Sequence, residues 1–256
     1  MNVTTWNVNS LRARLDRVLA WVDARQPDVL CLQEIKCVDA EMPRAPFEER
    51  GYHVATFGQK TYNGVAILSR SPLHDVETGI PNPDDPQARG IAATVRGVRV
   101  MNLYVPNGGE LTSDKYPYKL GWLDALHARL RGWVDGPLLV CGDFNIAPAD
   151  EDCYDPAGWK GQVLVSDAER ARFQGLLALG LHDALRAVDK RPGRYTWWDY
   201  RGDMYAQGKG LRIDHHLVSN ALKPRVLDVA IDLDARGSGS TQPSDHAPVT
   251  CFLREA

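Results

Sequence analysis

A chain of 256 residues with 44% hydrophobic and 25% charged side chains can bury a sizeable core and has the balance of an ordinary globular protein. No apolar stretch approaches the roughly 20 residues of a membrane-spanning helix, and the opening Met1-Asn2-Val3-Thr4-Thr5-Trp6 reads as a strand, without the basic and apolar blocks of a signal segment. Five cysteines with no Cys-x-x-Cys pair argue against a disulfide framework and structural zinc and fit a reducing cytoplasm; a net charge of −3 offers nucleic acid no global attraction, although 30 Lys and Arg suffice for one basic face.

The strand at 3–6 breaks at Asn7, and Ser10 is the expected N-cap of a helix over 10–25, with Leu11, Leu15, Val18, Leu19 and Val22 at helical spacing and Pro27 beyond its end. Val29-Leu30-Cys31-Leu32 is a buried strand followed by Gln33-Glu34. Strands are expected at 54–57 and 65–68, then a hairpin of 91–95 with 98–105 about Gly97. Leucines 120, 123, 126 and 130 predict a helix over 118–134. The apolar run 138–141 stops at Gly142-Asp143-Phe144-Asn145. Ser166-x-x-Glu169 is a capping box for a helix ended by Gly180. Segments 211–219 and 247–253 complete the strands. Adjacent strands with few helices imply mixed sheets. Pro81 to Pro86 suits a surface loop better than a linker, so one domain over 1–256 is expected.

Five segments far apart in sequence each bring an acid, amide or imidazole to a strand end: Asn7, Glu34, Asp143 with Asn145, Asp214, and Asp245 with His246. Singly these are common turn formers; as a set they suit phosphodiester hydrolysis. That reaction needs a hard cation, a proton-transfer group and donors for the charge of the transition state. Glu34 is a hard oxygen ligand for Mg²⁺, Asp143 a candidate base, and Asn145 a group to orient water. His246 can donate to a phosphate oxygen, with Asp214 favouring its charged form. The adjacent His215 and His216 point to opposite faces of a strand and so do not grip one ion.

Trp6-Asn7-Val8-Asn9-Ser10-Leu11-Arg12, Leu32-Gln33-Glu34-Ile35-Lys36, Asn63-Gly64-Val65-Ala66-Ile67, Tyr104-Val105-Pro106-Asn107-Gly108, Gly142-Asp143-Phe144-Asn145, Leu211-Arg212-Ile213-Asp214 and Ser244-Asp245-His246 occur in this order. Together they resemble the exonuclease III family of apurinic/apyrimidinic endonucleases, in the endonuclease/exonuclease/phosphatase superfamily. The resemblance implies a four-layer α/β sandwich, two mixed sheets face to face with helices outside. It implies Mg²⁺-dependent cleavage of duplex DNA 5′ to abasic sites, with Mn²⁺ as a substitute, together with 3′–5′ exonuclease and 3′-phosphatase action on blocked ends. A monomer in a bacterial-type cytoplasm, at the nucleoid when acting, is expected.

By the same resemblance, Glu34 is the principal metal ligand, with Asn7 and Asp245 close to the ion, and Asp143 activates water or protonates the leaving group. Asn145 and Asn107 hold the nucleophile and phosphate, Tyr104 contacts the phosphate or leaving oxygen, and His246, backed by Asp214, stabilises the transition state. The aromatic run at 195–200 reads either as core packing or, as the resemblance implies for Trp197 with Leu211 and Ile213, as a wall for a base-free deoxyribose; Arg89, Lys36, Lys60, Arg201 and Lys209 are read from their charge as phosphate contacts or as plain solvated charge. Asn9 stands where some relatives carry aspartate, which weakens a second metal position. The alternatives are a lipid or small-molecule phosphodiesterase of the same superfamily and a catalytically silent DNA-binding relative.

Overall fold

A computed structural model describes residues 1–237 and 242–255. Its strands are β1 (Asn2–Asn7), β2 (Val29–Gln33), β3 (His53–Phe57), β4 (Val65–Ser69), β5 (His74–Thr78), β6 (Gly90–Val95), β7 (Val98–Tyr104), β8 (Leu138–Asp143), β9 (Leu181–Asp183), β10 (Asp214–Ser219), β11 (Val226–Ile231) and β12 (Val249–Leu253). The α-helices are α1 (Leu15–Arg25), α2 (Ala45–Glu48), α3 (Lys115–Leu130), α4 (Pro156–Trp159), α5 (Asp167–Ala178) and α6 (Ala184–Val188). No helix is long and apolar enough to cross a membrane among the described residues.

The strands form two six-stranded sheets, β11-β12-β1-β2-β4-β3 and β5-β6-β7-β8-β10-β9. Each is mixed: β1 with β2 and β7 with β8 are parallel, and the other pairs are antiparallel. Because side chains alternate across a strand, Val3, Cys31 and Cys251 of the first sheet meet Val100, Leu139 and Cys141 of the second in the inter-sheet core. Trp6, Leu30 and Leu32 face the other way and pack with Val18 and Trp21 of α1. On the far side Leu138 and Val140 pack with Leu126 of α3 and Phe173 of α5. This is the expected four-layer sandwich. A buried amide pair ties the two sheets together, Gln33 Nε2 donating to Asn102 Oδ1 at 2.6 Å.

Several boundaries moved for tertiary reasons. The helix expected from Ser10 starts as α1 at Leu15 after a 3₁₀ turn over Arg12–Arg14, because Ser10 lies in the left-handed region (φ 87°) and its N–H donates to Glu34 O at 2.8 Å. The helix expected over 118–134 runs over Lys115–Leu130 instead. The strand expected from 211 begins at Asp214: the N–H groups of Ile213 and Asp214 both donate to the Thr196 hydroxyl, and Leu211 bridges to Trp197. The last strand starts two residues late, at Val249, following Pro248, which has no N–H to give the ladder. Segments β5, β9 and β11 escaped prediction. β5 is an edge strand with mostly exposed residues, so it lacks the buried alternation that marks a strand.

His215 and His216 do face opposite ways: His215 packs edge-on against Phe144 and tilted against Phe173 on the helix side, with ring centroids at 5.5 and 4.9 Å. Burial pushes their imidazoles down to about 4 for His215 and about 3 for His216. The unfolded chain takes up these protons near 6.5 while the fold refuses them, so their contribution is complete above that pH. It is lost as pH falls from about 6.5 toward 3–4, by about 1.4 kcal/mol per unit for each group. Urea unfolding at pH 7 and pH 5 is expected to give a lower stability at pH 5, and His216→Leu should reduce the slope. An unchanged slope in that variant would remove His216 from the acid response.

Candidate active site

The carboxyl ends of both parallel strand pairs open on one face of the sandwich. Asn7 is in register with Gln33 at the end of β1 and β2, and Tyr104 with Asp143 at the end of β7 and β8. Antiparallel β10 begins there too, Asp214 facing Asp143. Strand ends of open α/β sheets are where ligands bind. Gly142 allows the approach of β8 to β7: with φ 144°, its Cβ would lie 1.9 Å from Leu103 O. Glu34 and Asn145 are held in left-handed conformations, φ 51° and 50°. Such strain in non-glycine residues persists where the surrounding structure over-determines it.

A cavity of about 640 Å³ occupies this face. Glu34, Asp143, Asp245 and His246 line it, with Tyr104, Asn107, Asn145 and Trp197 around them. Asn7 is buried beneath, its Nδ2 donating to Glu34 Oε1 at 2.8 Å and Asp143 Oδ2 at 2.9 Å, while its Oδ1 accepts the Asn9 N–H. Asn7 therefore braces two carboxylates through its nitrogen. Lys36 Nζ lies 2.9 Å from Glu34 Oε2 and donates to Asn9 Oδ1 at 2.6 Å. Asp245 accepts from Asn9 Nδ2 and Trp197 Nε1, both at 3.0 Å. Burial works against its ionisation, but His246, Trp197 and Asn9 hold the Asp245 carboxyl below the usual range.

Asp143, His246 and Asp214 form a row. The Asp214 carboxylate lies 2.9 Å from His246 Nδ1, and His246 Nε2 lies 3.7 Å from Asp143 Oδ2. Thr196 donates its hydroxyl hydrogen to Asp214 Oδ2 at 2.6 Å, locking the carboxylate behind the imidazole. Burial alone would push His246 down, yet the Asp214 and Asp143 charges hold it well above the ordinary imidazole value, which favours its charged form. Burial pushes Asp143 up, opposed by His246 and Asn7. Among the described residues these three bring a ligand atom each within 4.8 Å of one another. His246 Nδ1 is engaged by the hydrogen bond to Asp214 and its Nε2 lies in ion-pair reach of Asp143, so the trio is a hydrogen-bonded pair beside a second carboxylate.

Two asparagines lining the cavity are linked as well. Asn145 N donates to Asp143 Oδ1 at 2.9 Å, and Asn107 Nδ2 to Asn145 Oδ1 at 3.1 Å. Burial raises the Tyr104 hydroxyl far above its usual value, with Glu34 and Asp143 acting the same way. Arg89 does not line this cavity. It stacks over Tyr104 at 4.9 Å in an adjoining depression of about 390 Å³ that shares Tyr104 and Asn107 with the main one. Leu211 and Ile213 are fully buried and support the wall from behind, packed with Trp197 and Val163. Trp159, Gln162 and Leu164 face the cavity unannounced by the sequence, because their connecting segment has no periodicity or motif.

The sequence from residue 4 to residue 246 matches the Endonuclease/Exonuclease/phosphatase family. The chain belongs to this family, in its exonuclease III branch. It is 36% identical to exodeoxyribonuclease III of Haemophilus influenzae, across 97% of this chain and 98% of that protein. A Neisseria structure described as the 3′ phosphatase NExo bound to a product DNA hairpin is 50% identical, with a TM-score of 0.97 over 100% of both chains. An AP endonuclease from Archaeoglobus fulgidus is 36% identical, with a TM-score of 0.95 over 99% of both. This member of the exonuclease III branch is a nuclease, and its two six-stranded mixed sheets are those of the branch.

Proposed function

We propose that the chain is a Mg²⁺-dependent DNA repair nuclease that hydrolyses the phosphodiester 5′ to an abasic site and leaves a 3′-hydroxyl. It also acts as a 3′–5′ exonuclease and removes 3′-phosphates. The observation that carries this reading is the Asp214–His246–Asp143 row facing Glu34 across one cleft. Its imidazolium suits a non-bridging phosphate oxygen, which gains charge in the transition state. The half-identical Neisseria protein, with its product DNA hairpin, supports a DNA substrate.

Asp143 carries the proton transfer, either from the attacking water or to the leaving oxygen. Asn145 orients the water, while Asn107 and Tyr104 hold the phosphate and Trp197 packs against the sugar. Arg89 takes a neighbouring phosphate. Glu34 and Asp245, with Asn7 fixing the Glu34 carboxylate, are an oxygen-rich set of the kind Mg²⁺ favours, one or two carboxylates completed by water and phosphate oxygens. A magnesium or manganese ion held there supplies a Lewis acid for the phosphate charge. The enzyme acts as a monomer in a bacterial-type cytoplasm, at the nucleoid.

Product analysis on matched abasic, nicked and 3′-phosphate duplexes tests the reading. Incision 5′ to the abasic site and release of phosphate are expected. Binding without cleavage in Mg²⁺, or faster turnover of an inositol phosphate or sphingomyelin, would sink it. Glu34→Ala should raise the Mg²⁺ needed for half-maximal activity at least about tenfold, since loss of even an outer-sphere partner costs about 10–100-fold in metal affinity. Direct Mn²⁺ binding followed by electron paramagnetic resonance should weaken in step. An unchanged titration would take Glu34 out of the ligand set.

A further inference from the structure

Lys119 of α3 is fully buried, as is Glu169 in the first turn of α5. The Lys119 ammonium donates to the backbone carbonyls of Asn107 at 3.0 Å and Asn145 at 2.6 Å, and to the Glu169 carboxylate. A lysine has three such hydrogens, and all are used. Glu169 in turn accepts the N–H groups of Leu164 and Ser166, both at 3.1 Å, and the Ser166 hydroxyl at 2.6 Å. The loop after β7 closes onto the lysine stem: Gly108, at φ 97°, would place a Cβ 3.1 Å from Lys119 Cδ.

A buried ion pair is a poor way to hold two helices together, because well-packed apolar residues do so as well or better. What this pair holds is specific. It joins the backbones of Asn107, Asn145 and Leu164, all three of which line the cleft, although neither charged residue lines it. We propose that Lys119 and Glu169 are positioning residues for the reaction, a buried ionic clamp that sets the spacing of the Asn107 and Asn145 loops. The clamp rests on the reading above, in which those two amides hold the phosphate and the water. Misplacing a reacting group by about 1 Å costs about 100-fold in rate, so a clamp of this kind acts on turnover more than on binding.

The double substitution Lys119→Met with Glu169→Leu replaces the pair with apolar side chains of similar size. On a 3′-phosphate duplex, kcat is expected to fall about 100-fold, with KM changed less than about threefold. The side-chain amide NMR signals of Asn107 and Asn145 should shift in the free protein. A folded double variant, checked by circular dichroism and melting, with kcat within threefold of wild type and unmoved amide signals would overturn the clamp. Glu169→Gln, which keeps the shape, serves if the double variant does not fold: a kcat drop of about tenfold supports the clamp and an unchanged kcat refutes it. A wild-type protein inactive on every duplex would refute the functional reading instead, and the amide signals would then decide the clamp alone.

Discussion

Asp143→Asn is expected to lose about 10³-fold in turnover while still binding substrate DNA. General acid–base groups contribute about 10²–10⁴-fold, and this carboxylate is the proton-transfer group proposed within 4 Å of the His246 imidazole. The substitution removes the proton acceptor with little change of shape. Asn7 Nδ2 donates to Asp143 Oδ2 and Asn145 N to Oδ1; in the variant one of the two keeps the amide oxygen as acceptor and the other loses its partner. Substrate binding, measured by fluorescence anisotropy on an abasic duplex, should stay within a few-fold. Single-turnover rates give the chemical step without product release. Turnover near that of wild type would remove Asp143 from the mechanism, and loss of binding alongside it would mean that the site had collapsed.

Arg212→Met is expected to destabilise the fold by about 3–5 kcal/mol, the usual cost of breaking a buried charge pair on one side. For a chain of this size that corresponds to about 6–20 °C in melting temperature. The guanidinium donates to Asp152 at 2.6 and 3.1 Å, pairs with Asp183 at 2.7 Å and reaches His215 Nδ1 at 3.0 Å. It is 1% exposed. Burial works against the ionisation of Asp152 and Asp183, and Arg212 is the foremost of the charges that hold both below the usual carboxylate range. Removing it strands two buried carboxylates, with Arg186 left on Asp152. Arg212→Lys restores a point charge without the fork geometry and should fall between the two. Urea denaturation would contradict this account if Arg212→Met stayed within 1 kcal/mol of wild type.

Much of the catalytic face was legible in single segments. A buried run stopping at Gly142 placed Asp143 at a strand end, where the close approach of β8 to β7 admits only glycine before it. The Ser166–Glu169 capping box formed as read. It could not tell that Glu169 also neutralises a lysine: on a helical pattern Lys119 looks like an exposed residue, yet it is among the largest fully buried side chains. Thr196 carries no signal in the sequence, lying between two aromatics, although its hydroxyl fixes Asp214 and takes the N–H groups of Ile213 and Asp214, so that the strand starts at 214 and not at 211. Leu211 and Ile213 were expected to touch the sugar, and they instead lie behind Trp197.

The sequence by itself determined the element types of the inner strands, the main helices and the chemical inventory of the site. Those depend on periodicity, capping and side-chain type, which are local properties. Tertiary structure alone decided that Asn7 and His246 both reach Asp143, because β1 pairs with β12 across nearly the whole length of the chain and both elements bring their ends to β8. It also decided the upward shift of the His246 imidazole, which follows from carboxylates distant in sequence, and the burial of Lys119, whose ammonium is closed in by two loops and the first turn of α5. Electrostatic fields and buried hydrogen bonds depend on distances between segments, and no pattern within a segment carries them.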